Sequence, residues 1–144
     1  MNLQNIAEFY IAGGTSNIIV QASEVNVSRT RIIFSTANLS AQTYVHGAEH
    51  LLLVYDNGWK SAPSIVDMFA FSLANFSIEG GETVVDRFNF EPLYGELANG
   101  RYKIIRRHQQ VMRAPLPESR VQEILIVEFV INNNTPTSLG LWLW

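Results

Sequence analysis

The sequence predicts an all-β sandwich of seven to eight strands with Greek-key connections. Apolar residues recur at every second position in short runs separated by turn signals, which is the pattern of strands with one buried face. In addition, Leu97-x-x-Gly100-x-Tyr102 has the spacing of a tyrosine corner, in which a Tyr near the start of a strand bonds back to the backbone just upstream. Helical periodicity is poor along the whole chain, so we expect almost no helix.

The first half of the chain contains two predicted strands and a predicted hairpin. Residues 18–20 form the first strand, and residues 29–35 alternate as the second. Leu51–Tyr55 is followed by an Asn57-Gly58 dipeptide, which accepts the positive φ angles of a tight hairpin turn, and Trp59 begins the return strand.

The second half of the chain alternates more strongly. Phe69, Phe71 and Leu73 alternate with small residues, and a Gly-Gly pair at 80–81 separates this run from the strand at residues 84–90. Residues 102–107 form the next strand, and residues 124–131 form the most apolar one. Because no internal repeat or linker divides the chain, we expect one domain over residues 1–144.

Composition excludes several classes of function. Of the 144 residues, 47% are hydrophobic and 16% charged, which is typical of a packed globular domain. The net charge of −3 gives no overall attraction to nucleic acid, and we expect no nucleic-acid partner. There is no Cys, so thiolate nucleophiles and Cys-type zinc sites are excluded. No apolar run approaches the roughly 20 residues of a membrane helix, and the N-terminal residues lack a secretory signal, which keeps a cytoplasmic location open.

Five short segments between residues 25 and 131 occur in a familiar order. They are Asn38 in an Asn-x-Ser turn, Tyr44-Val45-His46-Gly47 with Leu51, Asn57-Gly58-Trp59 with Pro63, the turn at residues 78–83, and Leu93-Tyr94-Gly95-Glu96-Leu97-x-x-Gly100-x-Tyr102-x-Ile104. In this order they resemble the bacterial immunoglobulin-like domain family, which occurs in Gram-positive surface proteins and in the outer part of some membrane-bound sensors. The last segment is the most specific of the five.

The resemblance implies an immunoglobulin-like Greek-key β-sandwich and a non-catalytic role. It implies an extracytoplasmic structural, binding or sensor domain of a Gram-positive bacterium, with a protein or cell-envelope partner and without a cofactor. The residues before 25 would add an N-terminal strand, and those after 131 an apolar tail. The structural signature that the resemblance implies consists of Trp59, Tyr94, Gly95, Leu97, Gly100 and Tyr102.

A second resemblance leaves an alternative open. The strand, Trp and late Gly-x-Tyr layout is also similar to that of the intracellular proteinase-inhibitor sandwiches of bacilli. Such a protein would bind a protease through an exposed loop, for which residues 109–120, with Pro115 and Pro117, are the candidate.

The segment from His46 to His50 matches H-x-x-E-H, the inverted zinc-protease motif. That motif requires a helix, which places both imidazoles on one face. On a strand the two residues lie about 13 Å apart, too far to chelate one ion. We therefore interpret them as histidines of a turn or an edge strand, and we expect no metal site. No Gly-x-Ser-x-Gly elbow or phosphate-binding Gly loop is present, and His108 has no identifiable catalytic companion, so we expect no enzyme.

Two further segments are candidates for binding. Strand alternation places Arg101, Lys103 and Arg107 on one face, either as a solvated surface near Glu91 and Glu96 or as a site for an anionic polymer such as a wall polymer. The apolar tail at residues 139–144, with Trp142 and Trp144, either packs on its own sheet or forms a homodimer contact by β-augmentation.

Overall fold

The computed structural model describes residues 17–66, 75–111 and 122–138. These residues form nine strands in two antiparallel sheets, which confirms the all-β sandwich. The elements are β1 (Ile18–Val27), β2 (Arg31–Asn38), β3 (Tyr44–Gly47), β4 (Leu51–Tyr55), β5 (Trp59–Ser61), β6 (Asn75–Ile78), β7 (Thr83–Asn89), α1 (Glu91–Tyr94), β8 (Gly100–Gln110) and β9 (Gln122–Ile131). Within these three ranges no helix has the length and apolar character needed to cross a membrane.

The strand number exceeds the predicted seven to eight because two short strands gave no usable alternation. β3 and β6 have four residues each and pair with one another, from Tyr44 opposite Ile78 to Gly47 opposite Asn75. Four residues are too few for a two-residue period to stand out in the sequence. The predicted strand around Phe69 and Phe71 lies outside the described residues.

The sheets are built around one long central strand. The small sheet has the order β1-β2-β7, and in the large sheet β9 pairs with β8. The other edge of β8 pairs with β3 and β4 in succession, while β6 extends the sheet beyond β3 and β5 extends it beyond β4. β8 is thus paired over most of its length on both sides.

The core lies between the two sheets and uses the predicted alternation. Ile32 and Phe34 of β2 are fully buried, as the sequence predicted for residues facing one side. On β9 the alternate residues Leu125, Val127, Phe129 and Ile131 are all buried in the same cluster. The large sheet also buries a smaller cluster on its opposite face, formed by Leu53, Ile105 and Ile124.

The hairpin between β4 and β5 forms as predicted. Asn57 has φ 54° and Gly58 has φ 135°, so both central residues adopt the positive angles that this dipeptide tolerates. Tyr55 therefore stands directly opposite Trp59 across the hairpin. This turn sets the position of two aromatic residues on the outward face of the large sheet.

The segment before β8 folds back on itself. Helix α1 is followed by Gly95, whose φ of 70° turns the chain so that Leu97 enters the core at 4% exposure. The Tyr102 hydroxyl then donates a 2.7 Å hydrogen bond to the carbonyl oxygen of Ala98, four residues upstream. This bond ties the start of β8 to the loop that precedes it.

Candidate functional site

A cavity of about 400 Å³ opens where β3, β6 and β8 of the large sheet face β7 of the small sheet. Its walls combine aromatic rings with groups that carry charge or titrate. The lining residues that matter for its chemistry are His46, His50, Phe76, Asp86, Phe88 and Arg106.

A buried ion pair forms the floor of this cavity. The Arg106 guanidinium donates from Nη1 to Asp86 Oδ1 at 3.2 Å and from Nη2 to Asp86 Oδ2 at 3.1 Å. The two side chains are only 3% and 15% exposed. The Thr36 hydroxyl adds a 2.6 Å hydrogen bond to Asp86 Oδ2 from the small sheet. Because the carboxylate accepts three hydrogen bonds, its charge is compensated inside the sandwich.

His108 lies behind the ion pair and is fully buried. Arg106 donates its Nε–H to His108 Nε2 at 3.1 Å, so the imidazole proton must sit on Nδ1. The Nδ1 atom has no hydrogen-bond partner within the part of the chain that the structure describes. Burial, followed by the charges of Arg106 and His46, lowers the pKa of His108 to about 2, and the ring is neutral at physiological pH.

The two histidines of the H-x-x-E-H segment reach the same cavity but are held by the backbone. Nδ1 of His46 donates to the carbonyl oxygen of Gly47 at 2.9 Å, and Nδ1 of His50 donates to that of Ala48 at 3.1 Å. Burial is the main cause that lowers the pKa of both rings. No cluster of three or more His, Asp or Glu suited to a metal ion occurs within residues 17–66, 75–111 and 122–138.

The interpretation of His46 as a turn or edge-strand residue is wrong in one respect. β3 pairs with β6 on one side and with β8 on the other, so His46 lies inside the sheet and is only 8% exposed. Its ring stacks on Phe76 at 5.3 Å and lies 4.7 Å from the ring of His108. The short strand β6, which gave no signal in the sequence, causes this burial.

The polar groups of the cavity are imidazoles, an amide, a carboxylate and guanidinium groups. Its lining contains no hydroxyl, thiol or amine that could act as a nucleophile. The carboxylate and the guanidinium neutralise one another, and the three imidazoles have lowered pKa values. Arg87 of β7 also lines the cavity, so its lining carries one guanidinium beyond the Asp86–Arg106 pair.

A second cluster lies on the outward face of the large sheet and is called here the basic-aromatic strip: Tyr55, Trp59, Arg101 and Lys103. The Arg101 Cζ atom lies 5.2 Å from the Tyr55 ring centroid and 5.6 Å from that of Trp59. The Lys103 ammonium lies 4.3 Å from the Trp59 centroid. The hairpin turn supplies the rings, and alternate residues of β8 supply the cations.

The predicted basic face is only partly continuous. Arg107 is on the same face but lines a separate small cavity with Glu49 and Asn75, beyond the buried Ile105. Arg101 forms its ion pair with Glu128 of β9, at 3.2 Å, and not with the two glutamates that the sequence suggested. The reason is cross-strand placement, because β9 runs beside β8 while Glu91 and Glu96 precede the strand.

The remaining signature residues surround the loop before β8. Tyr94 and Leu97 line a cavity of about 130 Å³ together with Tyr102, and burial raises the pKa of Tyr94 to about 12. Gly100 begins β8 opposite Ile131 of β9. Trp142, Trp144 and most of the 109–120 segment lie outside the described residues.

Sequence reasoning missed the ion pair, although signals for it were present. Asp86 lies at an inward position of an alternating strand, between Val84 and Phe88, where an apolar residue is expected. Arg106 and His108 lie at inward positions of β8 in the same way. A charged residue on each of two inward faces indicates a buried pair, since an isolated buried charge is costly.

Comparison with known families gives one match. A family model described as a bacterial Ig-like domain matches residues 14–116, which is well over half of the chain. The resemblance in the sequence was drawn over residues 25–131, so the match begins earlier and ends before β9. No curated protein matches the sequence significantly.

Proposed function

Because the chain belongs to the bacterial Ig-like domain family, we propose that it is a non-catalytic structural and binding module that works outside the cytoplasm of a Gram-positive bacterium. The family supports the module role. The resemblance of its turn segments to surface and sensor proteins supports the location. A single immunoglobulin-like sandwich offers a stiff body with loops at both ends, which suits either a spacer or a sensor domain.

The observation that carries the non-catalytic role is the closed network in the cavity. Arg106 bonds both oxygens of Asp86 and donates its Nε–H to His108, and Thr36 is a further donor to Asp86. General acid–base catalysis needs a group with a pKa near the operating pH and within reach of substrate. A buried His108 with a pKa of about 2 does not meet that requirement, and both oxygens of Asp86 are occupied by hydrogen bonds from Arg106 and Thr36.

The hydrogen bond from Tyr102 to Ala98 supports the assignment of Tyr102 as the tyrosine corner of the sandwich. Its place near the start of a strand and its upstream backbone acceptor are the two properties of that feature. In this proposal Tyr94, Leu97 and Tyr102 serve the fold, while Trp59 lies on the outward face of the large sheet.

The proteinase-inhibitor alternative gains no support from the family match. Its candidate loop lies outside the described residues from residue 112 onward. Inhibition of a subtilisin-type protease by the purified protein at micromolar concentration would favour that alternative over the proposed role.

The location can be tested by labelling intact cells of the source bacterium with a membrane-impermeant amine reagent. The Lys60 side chain is 60% exposed and provides a target. We expect the protein to be labelled equally before and after lysis, whereas a cytoplasmic control protein reacts only after lysis. Labelling that appears only after lysis would contradict the extracytoplasmic location.

A further inference from the structure

We propose that the basic-aromatic strip binds a linear, phosphate-bearing polymer that is not a nucleic acid. The inference deepens the proposed function, since it names a partner class for the binding module. It rests on four residues whose side chains meet on the outward face of the large sheet: Tyr55, Trp59, Arg101 and Lys103.

The first argument is the position of Lys103. The residue as a whole is only 8% exposed, and its backbone lies between Leu53 of β4 and Glu128 of β9. Its ammonium has the face of Trp59, at 4.3 Å, as its neighbour. The carboxylate directly across the strand, Glu128, pairs with Arg101, so no described residue forms an ion pair with the Lys103 ammonium and an external anion can supply one.

The second argument is that the rings hold the cations in place. Arg101 lies over both Tyr55 and Trp59, and these rings meet edge to face at 5.4 Å and 71°. Cation–π contact of this kind reduces the freedom of long side chains before a ligand arrives. One N–H of Arg101 donates to Glu128, and the other N–H groups of its guanidinium are available to a ligand.

The third argument concerns local charge. The protein carries a net charge of −3, yet the strip holds two cations and has Glu128 as its paired acid. Lys60 on the neighbouring hairpin is a further cation, and its Nζ lies 3.7 Å from the Asp56 carboxylate. An anion is therefore attracted to this face despite the acidic character of the whole chain.

The arrangement of the rings argues against nucleic acid. Proteins that bind single strands offer open aromatic faces on which bases stack. Here the cations of Arg101 and Lys103 occupy ring faces, and Tyr55 and Trp59 are turned towards one another. The rings act as supports for the cations, which suits a chain that has anionic groups and no bases.

Phosphate fits the two cations better than carboxylate. Arg101 and Lys103 are two residues apart on β8, which corresponds to about 7 Å along a strand. A planar carboxylate binds best to a coplanar guanidinium fork, and Nη2 of Arg101 already bonds Glu128. A tetrahedral phosphate diester can instead place its free oxygens towards donors that are not coplanar.

The test uses the whole chain and isothermal titration calorimetry with long-chain inorganic polyphosphate as the probe. We expect Arg101→Ala and Lys103→Met each to weaken binding about tenfold, since each removes a charge-assisted contact. The slope of log affinity against log salt should fall by about one for each cation removed. Glu128→Gln should tighten binding because it frees Arg101.

Matched variants separate binding from folding. Arg87→Ala removes the same charge from an exposed position on β7 and should change affinity less than about twofold, because rim charges at a distance are screened. Arg101→Lys and Lys103→Arg keep the charge and should retain most of the affinity. Urea unfolding of each variant shows whether the fold is intact.

The outcomes that overturn the proposal are distinct. Absence of polyphosphate binding at low salt, or equal binding by the wild type, Arg101→Ala and Lys103→Met, removes the strip as a site. Tighter binding of a single-stranded oligonucleotide replaces the proposal with a nucleic-acid surface. Equal binding of polyglutamate removes the preference for phosphate. Cell labelling that contradicts the location would leave these titrations unaffected, so the two failures are distinguishable.

Discussion

Arg106 donates its Nε–H to Nε2 of His108 at 3.1 Å, so a neutral imidazole accepts a hydrogen bond from a buried guanidinium. The same guanidinium carries both bonds to Asp86, so one residue of β8 joins the two sheets. The paired charged residues of this cavity therefore hold the two sheets together.

Acid should destabilise the protein through its histidines. The folded-state pKa of His108 is lowered to about 2, and those of His46 and His50 are lowered as well, chiefly by burial. The unfolded chain takes up protons as the pH falls through about 6.5 while the folded protein does not. This contribution to the free energy of unfolding is therefore present above that pH and is lost as the pH falls below it. At pH 5 the lowered pKa of His108 alone should reduce the free energy of unfolding by about 2 kcal/mol.

Urea denaturation at pH 7.5 and pH 5 measures this loss. His108→Gln keeps a hydrogen-bond acceptor for Arg106 and removes the titrating group, so the variant should lose less stability between the two pH values than the wild type. An identical pH dependence in both proteins would show that His108 is protonated in the folded state.

Removal of the carboxylate beneath the cavity should be severely destabilising. Asp86→Ala leaves the Arg106 guanidinium buried and without its counter-ion, and such losses are about 3–5 kcal/mol. Asp56→Ala removes a carboxylate from an exposed pair and is the matched control, for which we expect a loss of about 0.5 kcal/mol or less. Equal unfolding free energies for the two variants would mean that Arg106 reaches solvent.

Loss of the Tyr102 hydroxyl should weaken the start of β8. Tyr102→Phe keeps the ring in the core and removes the bond to Ala98, which should cost about 1 kcal/mol in the free energy of unfolding. Tyr55→Phe removes a hydroxyl from a 46% exposed residue and should have little effect. The prediction fails if the two Phe variants have the same stability in urea.

The turn between β6 and β7 contains two glycines, and each is favoured there for a different physical reason. A Cβ at Gly80 would lie 2.6 Å from the Ala41 carbonyl carbon, whereas a Cβ at Gly81 meets nothing within 4 Å and is disfavoured only by φ 79°. Gly81→Asn should therefore be mild, because Asn tolerates positive φ. Gly80→Asn should cost about 1–3 kcal/mol through overpacking.

Thermal unfolding of the two Asn variants tests the difference. A lower midpoint for the Gly80 variant than for the Gly81 variant is the expected result. The reverse order would mean that the loop around Ala41 yields and that backbone angle governs this turn.

Alternation located the longer strands but not their full extent, since β1 runs to Val27 and β8 to Gln110, beyond the predicted residues 18–20 and 102–107. The alternate apolar residues of β2 and β9 form the core because they share the face that meets the other sheet, and the Asn57–Gly58 turn follows from local φ preferences. The short strands β3 and β6 left no periodic signal, and with them the burial of His46 was missed. The histidine spacing matches a metal motif, whereas both rings bond carbonyl oxygens of adjacent or near-adjacent residues, Gly47 and Ala48.

The amino-acid sequence by itself determined the all-β class, the hairpin and the separation of inward from outward residues on β8, because these depend on neighbours one or two positions apart. Only the tertiary structure decided which distant residues meet: Asp86 with Arg106 across the two sheets, and Trp59 with Lys103 on the outward face. Such partners are fixed by strand order and register, which no local pattern encodes.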